Sequence, residues 1–184
     1  MNIDQAQSLM HEWTENPALR IHMESVAVCM AAYADIHEPR EKDRWIIAGL
    51  LHDMDYEKHP SKQDHPFVAV EYLRQHTDVD EQILHAILGH AQYSGVPRDT
   101  PMAKTLFSVD ELSGFIGACC KVRPNGIEDL QPKSVKKKLK DKAFAAAVSR
   151  DDIFQGIEEL SVDPTQHIQL CIDAMKSDRP RLGL

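Results

Sequence analysis

Apolar positions recur along this chain at three- and four-residue spacing, the pattern of helices that each bury one stripe. Ala6, Leu9, Met10 and Trp13 share a face between Asp4 and Trp13. Asn16 is placed to cap a second helix opening at Pro17, where the missing N–H of proline has no helical partner to lose. Leu19, Met23, Val26, Met30 and Tyr33 carry its stripe as far as His37. A third helix is expected from Glu41 to Met54; it is apolar nearly all round at Trp45–Leu51 and should lie at the centre of the fold. The polar stretch Asp55–Asp64 reads as a loop. Asp64 is expected to cap a short helix running to Gln75, and Asp80 to open another that ends near Gly89.

Gly95 and Pro97 break the chain between Ala91 and Thr100, and Met102–Val122 resumes as a long apolar helix. After a loop at Arg123–Pro132, a basic helix is expected from Ser134 to Ser149, followed by helices at Asp151–Leu160 and Pro164–Lys176. No stretch alternates in the manner of a strand. The expected fold is therefore all-α, a single domain of about eight or nine helices over residues 1–176. Its core motif region is 17–122, its C-terminal helices span 134–176, and residues 177–184, with Pro180 and Gly183, form a flexible tail.

Composition narrows the function. With 42% apolar and 27% charged residues the 184-residue chain has the balance of a globular domain, not of a disordered one. No apolar run approaches the roughly 18 residues of a membrane span, and Met1–Met10 lacks the basic-then-apolar pattern of a secretory signal, so a cytoplasmic location without a membrane partner is expected. Cys29, Cys119, Cys120 and Cys171 form no CxxC pair and read as small core hydrophobes. A net charge of −8 argues against nucleic acid as a partner. The charge is uneven: Lys133–Lys142 holds six lysines and one aspartate. The 10 histidines direct attention to metal chemistry.

Placed on the expected helices, His22 faces the core side of the second helix. His52 and Asp53 follow Ala48-Gly49-Leu50-Leu51 at the end of the buried helix, His65 opens the next, and His90 ends another. Asp110 is embedded in the apolar run Leu106–Leu112. A buried carboxylate without a partner is very costly, so Asp53 and Asp110 need a cation or strong donors nearby. Imidazole and carboxylate together suit iron, manganese, cobalt, nickel or zinc better than calcium.

The order His, His-Asp, His, His, Asp, carried by His22, Leu51-His52-Asp53-Met54-Asp55-Tyr56, His65-Pro66, Ala86-Ile87-Leu88-Gly89-His90 and Asp110-Glu111-Leu112-Ser113-Gly114, resembles the HD superfamily of metal-dependent phosphohydrolases (HD/HDIG domains). Val122-Arg123-Pro124 followed by Lys133-Ser134-Val135-Lys136-Lys137-Lys138 is similar to a bacterial subgroup of predicted hydrolases. The resemblance implies an HD-type helical bundle. It implies that His22, His52, Asp53 and Asp110 bind a first divalent transition ion, and that His65 and His90 add a second bridged by Asp53. It further implies catalytic roles for Asp53 and His52 in hydrolysing a phosphate ester of a small phosphorylated molecule, with nucleotides the leading class. Two other readings fit the same ligands: a mixed-valent di-iron oxygenase, and a binding module without turnover.

The remaining candidates are open at this level. Asp55 either orients a ligand imidazole or caps a turn. Lys58, Arg123, Lys138 and Lys142 could hold a substrate phosphate, or could be solvated. Glu111 either faces solvent or accepts from a ligand histidine. His85 and His59 have a smaller claim on the site, and His11, His37, His76 and His167 read as surface or boundary residues. Loops Asp55–Asp64 and Ala91–Thr100 are expected to wall the pocket, with Tyr93, Arg98 and Arg123 as side chains to examine. A monomer or a homodimer is compatible with the composition.

Overall fold

The computed structural model describes residues 1–184. Ten α-helices form it, with no strand: α1 (Ile3–Trp13), α2 (Pro17–His37), α3 (Lys42–Leu51), α4 (Phe67–His76), α5 (Glu81–His90), α6 (Pro101–Lys121), α7 (Pro132–Leu139), α8 (Arg150–Leu160), α9 (Pro164–Ser177) and α10 (Arg179–Leu182). The short α10 is the helix beyond the eight or nine expected. None is long and apolar enough to cross a membrane.

Local chemistry sets most of the helix starts. Asn2 and Gln5 form a reciprocal capping box on α1, and the Asn16 side chain accepts from the Ala18 N–H ahead of Pro17. Asp80 accepts from the N–H groups of Gln82 and Ile83, and Thr100 from that of Ala103. Asp64 caps nothing; it accepts from the Ser61 hydroxyl, and α4 begins two residues later than expected, after Pro66. Helix α3 ends at Leu51, and His52–Lys58 continues as a series of turns, pinned where the Thr14 hydroxyl donates to the Met54 carbonyl and the Glu57 carboxylate accepts from the N–H groups of Glu15 and Asn16.

Helices α2, α3, α5 and α6 form the centre, with α1 and α4 at one end and α8 and α9 packed on the far faces of α6 and α2. Trp45 is fully buried at this centre, and its indole N–H donates to Glu38. Two glycines permit close helix approach. A Cβ on Gly49 of α3 would lie 2.6 Å from the Ala27 Cα of α2, and one on Gly156 of α8 would lie 2.6 Å from the Ser108 Cα of α6. All four cysteines are free and buried, as small core side chains.

Three expectations change here. The basic helix stops at Leu139 instead of Ser149, because the Asp141 carboxylate accepts from the N–H groups of Ala143 and Phe144 and diverts the backbone into turns, with Ala145 at a positive φ of 45°. The segment 177–184 completes α9 and forms α10, with Leu182 buried and Leu184 packed on the core, so an apolar anchor occupies the expected tail. His167 is buried, not peripheral: its ring lies between the Tyr33 hydroxyl and the Ser108 hydroxyl, 3.0 Å from the latter.

Candidate metal centre

Four helices deliver the polar side chains that the core would otherwise exclude. His22 lies on α2, His52 and Asp53 at the end of α3, His90 on the last residue of α5, and Asp110 midway along α6; His65 sits just ahead of α4. The Gly49 contact fixes α2 against α3, and so fixes His22 against His52.

Two groups of donors result, and both include Asp53. In the first, His22 Nε2 lies 2.9 Å from Asp110 Oδ1 and 3.3 Å from His52 Nε2. His52 Nε2 is 3.5 Å from Asp110 Oδ1, and Asp53 Oδ2 is 3.6 Å and 3.7 Å from His52 and His22. In the second, His65 Nε2 and His90 Nε2 are 3.2 Å apart, and each is 3.4 Å from the other oxygen of Asp53, Oδ1. Neighbouring donors around an ion with bonds of about 2.0–2.2 Å stand roughly 3–3.4 Å apart, so both spacings suit a transition ion.

The hydrogen bonds behind the rings make the fit specific. The carbonyls of Gly49 and Ile87 can only accept, so His52 and His90 carry their proton on Nδ1. His65 Nδ1 donates to Asp55 Oδ1 at 2.7 Å. In their neutral forms all three rings therefore turn the Nε2 lone pair toward the centre. Two such lone pairs face one another at 3.2 Å between His65 and His90, an arrangement that repels until a cation lies between them. The residues present fit divalent metal ions.

The charges point the same way. Burial opposes the imidazolium of His52, but the carboxylates of Asp53 and Asp110 outweigh it and push the ring up to about 9. Burial likewise opposes ionisation of Asp53 and Asp110, yet the His52 charge and the histidine hydrogen bonds hold both below the usual carboxylate range. A proton on His52 thus occupies the electrostatic position that a metal ion would take.

Asp55 is fully buried and serves as an orienting group: Oδ1 holds His65, and Oδ2 accepts from the Ala69 N–H at 2.8 Å. Above the donors opens a cavity of about 330 Å³. Tyr56, Tyr93, Phe107, Val148, Glu111 and Asp152 line it together with His22, Asp53, His65, His90 and Asp110. Glu111 accepts from the Ser149 N–H at 3.1 Å; burial, then the neighbouring Asp110 charge, push its carboxyl up to about 7. Burial, then the charges of Asp53 and Asp55, push the Tyr93 phenol up to about 12.

The four expected phosphate contacts lie elsewhere. Lys58 reaches back to the Glu12 carbonyl and the Trp13 ring. Arg123 pairs with Asp129, and Lys138 sits over Phe144; both line a separate cavity with Cys119 and Leu130. Lys142 is exposed in the turns after α7. Arg98 braces the loop after α5, with a forked pair to Glu159, a bond to the Gly89 carbonyl and its guanidinium over Phe107. His85 pairs with Asp99, and His59 is not on the cavity wall. Phe107 lies one turn before Asp110 on the same face of α6, a spacing the sequence offered; Val148 and Asp152 carry no sequence signal of their own and reach the cavity through the packing of α8 on α6.

A helical bundle that gathers histidine and aspartate donors from four helices into two adjoining groups has the chemistry to hold metal ions. The HD domain family model matches residues 19–114, which is more than half of the chain and contains every donor, and the chain belongs to that family. No curated protein and no solved structure matches it.

Proposed function

We propose that this protein is a metal-dependent phosphohydrolase that cleaves a phosphate ester of a small molecule. The observation that carries this reading is the division of one carboxylate: Asp53 turns Oδ2 to His22 and His52 and Oδ1 to His65 and His90. Such a layout suits two divalent transition ions with Asp53 between them. When bound, paired ions supply ionised water near neutral pH and positive charge for phosphoryl oxygens.

The chain's own residues do the rest. His22, His52 and Asp110 hold one side and His65 and His90 the other, while the Gly49 and Ile87 carbonyls and Asp55 keep three of the rings in the tautomer that offers Nε2. Asp53 lies at the junction of the two sides, with His52 beside it on the first, and these two are the catalytic residues of this reading. The cavity of about 330 Å³ suits a small ester. Its wall carries no lysine or arginine, so the cavity itself offers no cationic clasp for the charged chain of a nucleoside triphosphate.

The test is release of inorganic phosphate from a panel of esters by chain loaded with Mn²⁺, Co²⁺, Ni²⁺ or Fe²⁺. Turnover should require the metal, persist without O₂, and disappear in Asp53→Ala. Activity retained by that variant, or activity that demands O₂, would refute the hydrolytic reading.

A further inference from the structure

The wall of the cavity beyond the metal donors has a character that phosphate recognition does not account for. It carries two carboxylates, Glu111 and Asp152, and three aromatic rings, Tyr56, Tyr93 and Phe107. Neither carboxylate is paired with a lysine or arginine. One oxygen of Glu111 accepts from the Ser149 N–H, and one of Asp152 from the Gln92 amide. The second oxygen of each is bonded to nothing in the protein. Tyr56 and Tyr93 are 45% and 42% exposed, leaving ring surface accessible at the mouth. One face of Phe107 is covered by Arg98. Tyr93 already draws a cation, since the Lys62 ammonium rests 5.4 Å from its centroid. Aromatic faces combined with carboxyl groups that lack a basic partner recognise ammonium groups, through the ring quadrupole and through charge attraction, and an ammonium beside Glu111 favours its ionised form. They also repel an anion at that end of the cavity.

We propose that this wall binds an ammonium group, so that the substrate is a small phosphate ester carrying a cationic amine. This rests on the phosphohydrolase reading for the phosphate end. The ester would lie with its phosphate toward Asp53 and its amine among Tyr93, Glu111 and Asp152, each end meeting the opposite charge. Glu111 and Asp152 are then specificity residues and take no part in the bond cleavage.

Binding and turnover test the two ends separately. Calorimetry on the full chain, with and without saturating Mn²⁺, compares choline with its uncharged isostere 3,3-dimethylbutanol. Choline should bind at least about 10-fold more tightly, the scale of a desolvated cation–aromatic contact joined to a carboxylate. Glu111→Gln and Asp152→Asn keep the acceptor oxygens used by Ser149 and Gln92, and each should erase most of that preference without lowering the unfolding temperature. In turnover, phosphocholine and phosphoethanolamine should exceed 3,3-dimethylbutyl phosphate and propyl phosphate in kcat/KM, and the ratio should collapse in the same variants. Equal turnover of charged and neutral esters overturns the ammonium site and leaves the hydrolase reading standing. Choline binding that depends on Glu111 and Asp152, with no ester cleaved, supports the ammonium site and removes the hydrolase. Failure of choline to bind overturns the proposal, as does binding that both variants retain.

Discussion

Asp55→Asn separates the two halves of the proposed metal centre. The wild-type carboxylate makes two buried bonds, accepting from His65 Nδ1 at 2.7 Å and from the Ala69 N–H at 2.8 Å. An amide of the same shape has one acceptor oxygen, so it serves one donor and turns its NH₂ against the other. Loss of a carboxylate behind a ligand histidine typically costs 10- to 100-fold in metal affinity, about 1.4–2.8 kcal/mol. That loss should fall on the ion held by Asp53, His65 and His90 alone, since Asp55 touches no residue of the His22–His52–Asp110 side. The unsatisfied donor adds about 1–3 kcal/mol of destabilisation. In a chain of this length that lowers the unfolding temperature by roughly 2–12 °C. Calorimetric titration with Mn²⁺ or Co²⁺ should show two binding steps in wild type, with only one weakened in Asp55→Asn. His22→Ala should weaken the other. Equal weakening of both steps by Asp55→Asn, or of neither, would refute the division of labour.

Gly49→Ala should destabilise the fold by about 1–3 kcal/mol as an overpacked core contact; it should also weaken metal binding, because the new Cβ would meet the Ala27 Cα at 2.6 Å and spread His22 from His52. Metal binding unchanged in a folded variant would contradict that link. His167 is buried, and desolvation depresses its ring to about 4 from an ordinary 6.5. Unfolded chain takes up the proton first as pH falls, so this stability is complete above 6.5 and is lost toward 4, about 3 kcal/mol in all. Denaturant unfolding across that window should show the slope in wild type and a shallower one in His167→Gln; identical slopes would refute it. Arg123→Ala and Lys138→Ala should leave kcat/KM within about twofold, as surface changes remote from a site usually do; a larger fall in the steady-state rate would place them in the reaction.

The donors were legible in the sequence because each sits where apolar periodicity makes a polar residue expensive. His22 falls on a buried stripe, Asp110 inside Leu106–Leu112, and His52-Asp53 directly after Ala48–Leu51. Helix starts were legible at Asn16 and Asp80, where a capping side chain directly precedes an apolar stripe, but not at Ser149, which reads as the end of the basic helix and instead caps α8. The features that could not be read depend on contacts between distant segments. Asp152 and Val148 reach the cavity only because Gly156 allows α8 to close on Ser108. Whether Asp55 orients a ring or caps a turn depends on where the chain brings His65, ten residues on. The end of α7 at Leu139 turns on one carboxylate outcompeting the helix for two N–H groups. His167 had a readable signal, since it shares a face with Cys171 and Met175, both buried.

The segment matched by the family, 19–114, holds every donor, while Val148 and Asp152 come from outside it. The candidate donor set and part of the cavity wall are thus built from different stretches of chain. Under the proposed function, exchanging residues 141–152 would change which molecule is admitted while every metal donor stays in its own helix, the kind of modularity that lets one scaffold acquire new diets.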